Sequence, residues 1–343
     1  MKHLQTWLNA AAVAAVVVGL SLIVNKNLPH DGKSQIVNVS YDPTRELYQT
    51  LNPIFVASYE KDTGRHLTIV QSHGGSSRQA RKVISGEQPA DVVTLGLATD
   101  IDALRKRGLV ADNWASRLPN KSVPYTSTVV FVVRKGNPHS IRDWPDLLAP
   151  ELEIVTPDPR TSGNGKLAAL AAWAAITTRG GTDTEAVAYL RALYRHVPAF
   201  DEGARGAAIR FAVQESGDVH LSWENEALRE VAESNGKLEI VYPPVSILAE
   251  PCVAWVDSAV EKNGNLASAK AYLTFLFSDE AQGTIARLGY RPYKAGTAEK
   301  AGVKFPQIAL VPVTAIARDW DDANTKFFAE NGIIDAVIAL RGQ

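Results

Sequence analysis

A chain of 343 residues with 45% apolar and 21% charged side chains is long enough for two ordinary domains and has the make-up of a folded globular protein. The formal net charge of −1 leaves no basic excess, which argues against nucleic acid as a partner. Cys252 is the only cysteine, so an internal disulfide, a cysteine-based zinc cluster and a lipid-modified N-terminal cysteine are excluded. In the apolar run Pro251-Cys-Val-Ala-Trp-Val256 it reads as a buried, inert thiol.

The N-terminus has its own character. After Lys2 and His3, residues Leu8 to Val24 are apolar apart from Asn9, Gly19 and Ser21. The run is longer than a usual signal-peptide core and sits at the short edge of a membrane span, roughly 17 to 25 residues. Gly19-Leu20-Ser21 is the best small-x-small cleavage site, and it is a poor one. Residues 1–35 are therefore expected to direct export, as a cleaved signal peptide or as an uncleaved anchor at residues 8–24 followed by a polar spacer. The Lys2 flank and that spacer argue against a buried core helix.

From Gln35 onward strand-like and helix-like runs alternate. Ile36 to Ser40 reads as a short strand. Asp42-Pro43-Thr44 then opens a helix, with Asp42 as its cap and Pro43 in its first position. His66 to Val70 is a second strand. It runs into Gln71-Ser-His-Gly-Gly-Ser-Ser77 and a helix with Ala80, Val83 and Ile84 on one face and Gly86 as its stop. Gly74 and Gly75 permit a tight turn and a close approach to a ligand, and Ser76 is placed to cap the helix. A helix start presents unpaired N–H groups and partial positive charge, so this junction is a ready anion site. Taken alone, a glycine turn with a serine cap is the plainer reading.

Further strands are expected at Asp91 to Leu97, Thr128 to Val133, Leu152 to Thr156 and Val219 to Trp223. Helices are expected at Ile101 to Gly108, at Leu167 to Thr178 and from Glu224. Continuous apolar strands alternating with helices indicate an α/β protein with parallel-rich sheets covered on both faces. No internal repeat is present. Thr128 to Val133 marks one domain boundary and Ile247 to Val256 a return. Residues 36–127 and 248–343 are thus expected to form one lobe and residues 128–247 the other, with a cleft between.

Three more strand-to-helix junctions carry the same chemistry as the first. Pro157-Asp-Pro-Arg-Thr-Ser-Gly-Asn-Gly-Lys166 offers the Ser162 hydroxyl and the amides of Gly163, Asn164 and Gly165. Asp201-Glu-Gly-Ala-Arg-Gly206 offers the Ala204 amide, with Gly203 permitting the turn. Ser222-Trp-Glu-Asn-Glu226 sets Trp223, whose indole N–H only donates, at the end of a strand. Each alone reads as structural. Four donor-rich junctions at strand C-terminal ends fall where open α/β sheets bind ligands.

These residues, together with Asn38-Val-Ser-Tyr-Asp-Pro-Thr-Arg-Glu-Leu-Tyr48, Ala90-Asp-Val-Val-Thr-Leu95, Pro124-Tyr-Thr-Ser-Thr128, Arg134-Lys-Gly-Asn-Pro138, Trp223-Glu-Asn-Glu-Ala227 and Ile247-Leu-Ala-Glu-Pro251, resemble the sulfate-binding proteins of bacterial sulfate/thiosulfate ABC importers, in order and from Asn38 to the C-terminus. The resemblance implies the two-lobed periplasmic binding protein fold (type II) and a tetrahedral oxyanion held in the cleft. It implies that Ser76 contributes its amide and hydroxyl from the first lobe. From the second lobe Ser162 gives its hydroxyl, Gly163 and Ala204 their amides, and Trp223 its indole N–H. Asn164 stands where the family usually has glycine, and its backbone amide survives the change. Asp42, His73 and Arg205 resemble residues that buttress these donors. The implied partners are sulfate or thiosulfate and the membrane permease/ATPase complex of an ABC importer, met in the periplasm by a monomeric, cofactor-free, metal-free and non-catalytic protein.

The physical chemistry agrees with that ligand. All the implied donors are neutral, and sulfate is an unprotonated dianion that needs donors and no acceptor. Monohydrogen phosphate carries a proton that would find no acceptor there. Thiosulfate is chemically close to sulfate and stays open. Molybdate would need a roomier cleft, and a tethered sensor or adhesion role would leave the ligand unchanged. A hydrolase is disfavoured: His73-Gly-Gly-Ser76 is like an esterase oxyanion loop, but no Gly-x-Ser-x-Gly elbow occurs. Gly163-Asn-Gly-Lys166 fails as a phosphate loop, since Arg160 replaces its first glycine and Leu167 follows the lysine. The seven histidines show no His-Glu-x-x-His pairing.

Overall fold

The computed structural model describes residues 34–339, so the expected export segment lies almost wholly outside the described residues. Among the described residues no helix is long and apolar enough to cross a membrane. Two four-stranded sheets organise the chain. In the first, β1 (Ser34–Tyr41) lies between β2 (Leu67–Gly74) and β3 (Val92–Leu95) and is parallel to both. Helix α1 (Arg45–Thr63) follows β1, α2 (Ser76–Ser85) follows β2 and α3 (Ala98–Arg105) follows β3. The strand C-terminal ends, where ligands of open sheets bind, therefore feed directly into three helix starts.

The second sheet holds β4 (Val129–Arg134), β5 (Ile154–Val155), β6 (Val219–Trp223) and β7 (Leu238–Val241), in the order β5-β6-β4-β7. Here β6 runs parallel to β5, while β4 runs antiparallel to both its neighbours. Helices α4 (Gly163–Thr177), α5 (Asp183–Arg195), α6 (Ala204–Ala208) and α7 (Glu224–Glu233) belong to this half. The chain returns through β8 (Val245–Ile247) to β9 (Cys252–Trp255), which joins the first sheet antiparallel to β3. Strands β4 and β9 are the ones that follow the two crossings, so no right-handed βαβ crossover constrains their direction.

The two crossings lie side by side. Ser127 and Ala249 exchange both backbone hydrogen bonds at 3.0 Å, and the Thr128 hydroxyl donates to the Ile247 carbonyl at 2.8 Å. Adjacent crossing segments give a narrow hinge about which two lobes can turn. The last residues do not stay with the first sheet. Strand β10 (Ala309–Val311) pairs in parallel with β8, and α8 (Ile333–Ala339) packs on α5. Phe327 meets Trp173 of α4 edge-on at 4.9 Å, and Lys326 pairs with Asp183 at 2.8 Å.

Several expectations shift in detail. Asp42 does not cap the helix it precedes; Tyr41 holds the N-cap position and Asp42 begins a short 3-10 turn, Asp42–Thr44, with Pro43 next. The Asp42 carboxylate instead accepts from Arg45 at 3.0 Å and faces Gly203. Helix α3 starts at Ala98 and α4 at Gly163, each a few residues before the apolar run that betrays it. Gly86 ends α2 in the left-handed region at φ 77°, as expected of a glycine stop.

Candidate functional site

The donor-rich junctions of the two halves meet face to face. Ser76 opens α2 and Gly163 opens α4; a Cβ built on Gly163 would lie 3.3 Å from the Ser76 Cβ. A Cβ on Gly75 would lie 2.7 Å from the Thr161 carbonyl oxygen and 3.2 Å from that of Glu202. One on Gly203 would lie 2.4 Å from Asp42 Oδ2. Gly75 has φ −56° and Gly203 φ −158°, conformations open to any residue. Gly75 is therefore required by backbone that approaches it across the cleft and not by the turn it sits in, while at Gly203 the close neighbour is the Asp42 side chain.

Each junction is braced from behind. Ser162 caps α4, its hydroxyl accepting from the Gly165 amide at 3.5 Å, and Gly165 lies so tight on the preceding loop that a Cβ would fall 2.4 Å from the Pro157 carbonyl. The Asp158 amide donates to the Asp201 carbonyl at 2.8 Å and the Thr161 hydroxyl to the Glu202 carbonyl at 2.9 Å, which ties two junction loops into one surface. Asn164 turns its side chain away from the cleft and donates to the Leu221 carbonyl at 2.9 Å. Its backbone stays in the first turn of α4. Trp223 is buried, and its ring lies 5.5 Å from that of Tyr41 in the opposite half.

Among the described residues, no acceptor takes the backbone N–H of Ser76, Gly163, Asn164 or Ala204. Ser76, Ser162 and Trp223 are at most 2% exposed. Buried polar groups nearly always have partners, so a cluster of idle donors at apposed helix starts is a site for an acceptor-rich anion.

Two further features escape the sequence. The Ser76 hydroxyl is not the cap of α2, a place held by Gly75; it donates to Asp100 Oδ2 at 2.5 Å and accepts from the Gly96 amide at 2.9 Å. In this arrangement Ser76 offers the cleft its amide, and the hydroxyl belongs to the scaffold. Beside it, the Ser77 hydroxyl is buried with no partner among the described residues. Asp100 lies in the first turn of α3, where an acidic residue reads simply as helix-dipole complement.

The charged residues form a frame around these donors. Asp42 is raised above its ordinary value by burial, against the pull of Arg45, Arg205 and Arg78. Arg205 reaches across to Glu46 of α1, its Nη2 donating to both carboxylate oxygens at 2.7 and 2.8 Å. Burial would raise Glu46, but the hydrogen bond from Arg205 holds it below its ordinary value. His73 is lowered to about 4, chiefly by burial and then by Arg45, so it is neutral at pH 7.

That shift has a sign. Its folded value lies below the ordinary 6.5, so the unfolded chain takes up the proton first. Stability from His73 is intact above about 6.5 and is lost as the pH falls toward about 4. Replacing His73 with Gln is expected to remove part of the acid destabilisation, seen as a smaller fall in melting temperature between pH 7 and pH 4.5. An equal fall in both proteins would show that His73 is not the titrating group.

The chain is similar to known proteins over most of its length. The model of the bacterial extracellular solute-binding protein family matches residues 44–291. The chain belongs to that family. The sulfate-binding protein of Salmonella typhimurium is 44% identical over 322 residues, covering 93% of this chain and 98% of the relative. The thiosulfate-binding protein of Pseudomonas aeruginosa is 45% identical over 305 residues, covering 88% and 91%. The solved sulfate-binding protein SubI from Mycobacterium tuberculosis H37Rv superposes with a TM-score of 0.78 at 33% identity, over 86% of this chain and 99% of that one. The ferric binding protein from Campylobacter jejuni, at 17% identity and TM-score 0.60, shares the fold alone. The two-lobed type II solute-binding fold expected from the sequence is the fold found.

Proposed function

We propose that the protein captures sulfate, or the closely similar thiosulfate, between its lobes and delivers it to the permease of an ABC importer. The observation that supports this most directly is the set of idle backbone donors on both walls of the cleft, the amides of Ser76, Gly163, Asn164 and Ala204, with the Ser162 hydroxyl and the buried Trp223 indole on the second wall. Charge-assisted hydrogen bonds of this kind contribute roughly 1.5–3 kcal/mol each, and helix starts add about half a positive charge apiece. Sequence relatives that bind sulfate or thiosulfate support the same ligand class. We assign Asp42, His73 and Arg205 to bracing these donors. The role calls for no catalysis, and the matched relatives carry binding-protein names. Residues 1–35 would take the protein to the periplasm, free or tethered. We place the first lobe at 36–127 and 248–343 and the second at 128–247, with the last residues of the chain also reaching the second through Val311 and Lys326.

Sulfate is expected to be preferred to phosphate. Each carboxylate near the cleft already accepts from a neighbour in the protein: Asp42 from Arg45, Asp100 from Ser76, and Glu224 from Arg291 at 2.6 and 2.8 Å. The proton of monohydrogen phosphate would be left without an acceptor, at about 1–3 kcal/mol or more, which is roughly tenfold or more in affinity. Calorimetric titration at pH 8 with sulfate, thiosulfate, molybdate and phosphate tests this, and equal affinity for sulfate and phosphate would overturn it.

A further inference from the structure

We propose that Glu46 is a positioning residue for ligand capture: on closure it draws the Arg205 guanidinium away from Glu226, so that Arg205 changes carboxylate partner between the open and the closed protein. This inference rests on the reading of the cleft as an oxyanion site. The donors of that site are too deeply buried for a ligand to reach them unless the lobes separate. Separation takes Glu46 away with the first lobe and leaves Arg205 with the second.

The geometry around Arg205 is that of a group shared by two carboxylates. Both hydrogen bonds to Glu46 come from Nη2. Its Nε, which completes the fork in a side-on guanidinium–carboxylate pair, is buried and has no hydrogen-bond partner among the described residues. Glu226 Oε2 lies 3.9 Å from that Nε, beyond hydrogen-bond length. Glu226 sits on α7 in the same lobe as Arg205, is 1% exposed, and is held by Arg229 at 2.9 Å. Burial raises Glu226 above its ordinary value even with Arg229 and Arg205 beside it, so it would gain from a closer cation. A shift of about 1 Å would turn the 3.9 Å approach into a hydrogen bond of ordinary length.

Arg205 directly follows Ala204, whose amide faces the cleft, so its anchoring fixes where that amide points. In the open protein the Arg205–Glu226 pair holds the second lobe's donors ready. In the closed protein Glu46 takes over and latches the first lobe onto them. The difference between the two pairings biases the open–closed equilibrium, and ligand affinity follows it.

The test is stopped-flow and calorimetric measurement of sulfate binding to wild type, Glu46→Gln and Glu226→Gln, with melting of each protein without sulfate. Glu46→Gln is expected to raise the dissociation rate roughly five- to tenfold, leaving the association rate and the sulfate-free melting temperature unchanged. Glu226→Gln removes the open-state partner and is expected to tighten binding. Should that variant fold poorly, the double-mutant cycle of Glu46→Gln with Arg205→Met serves in its place, with coupling expected only when sulfate is bound. Two results overturn the exchange: both glutamine variants weakening binding alike, or the Glu46–Arg205 coupling being equal with and without sulfate. If the wild type itself binds neither sulfate nor thiosulfate, the reading of the cleft fails instead.

Discussion

Replacing Gly75 with alanine is expected to weaken sulfate binding about a hundredfold or more while leaving the two lobes folded. The residue has φ −56° and ψ 132°, so alanine meets no backbone strain at that position. It caps the start of α2, where exchanging glycine for alanine changes stability by about 1 kcal/mol at most, the cap penalty offset by the smaller entropy of the unfolded chain. The obstacle lies in the other lobe. The new methyl would stand 2.7 Å from the Thr161 carbonyl oxygen and 3.2 Å from that of Glu202. Both are backbone atoms of stapled loops and neither can swing aside. Closure would therefore stop short, and the Ser76 amide and its opposite numbers at Gly163 and Ala204 could not bond the same ion. Losing two charge-assisted bonds at roughly 1.5–3 kcal/mol each gives at least 3 kcal/mol, or about a hundredfold. Calorimetry gives the affinity, and the melting temperature without sulfate gives the fold. Near-wild-type affinity would show that the lobes close without this contact, and a collapsed melting temperature would show that Gly75 serves the first lobe alone.

The same contrast between local and cross-lobe chemistry explains what was legible in the sequence. Val219 to Trp223 alternates Val219, Leu221 and Trp223 with His220 and Ser222, so this strand and the helix start at Glu224 could be read to the residue. The glycine- and serine-rich junctions marked the strand ends. The caps were misread where another partner took the side chain, a neighbouring arginine for Asp42 and a distant carboxylate for Ser76. Asp42 and Ser76 are good N-cap residues by type, yet the first turns to Arg45 and Gly203 and the second to Asp100. Glu46 and Asp100 left no signal at all. Their partners, Arg205 and Ser76, lie 159 and 24 residues away, and a charged residue in a first helical turn has a sufficient local explanation. Asn164 shows the reverse. It stands where the family usually has glycine, and its side-chain amide finds a carbonyl on β6.

Trp223→Phe is the second substitution with a large expected effect, a loss of roughly ten- to a hundredfold in sulfate affinity. The indole sits at the end of β6, 1% exposed, with its ring tilted against Tyr41 of the other lobe. Phenylalanine keeps an aromatic face toward Tyr41 but cannot donate. In an exposed site water would replace the missing donor. Here the closed walls exclude it, so one oxygen of a buried dianion goes unmatched at about 1.5–3 kcal/mol, with tenfold per 1.4 kcal/mol. Trp223→Phe also opens space, and the unliganded melting temperature will register that cost separately. The decisive comparison is therefore between the change in anion affinity and the change in unliganded stability. Sulfate and thiosulfate should each lose affinity, while the unliganded protein changes much less. An unchanged dissociation constant for both ions would remove Trp223 from the site and leave the amides of Ser76, Gly163 and Ala204 to hold the anion on their own.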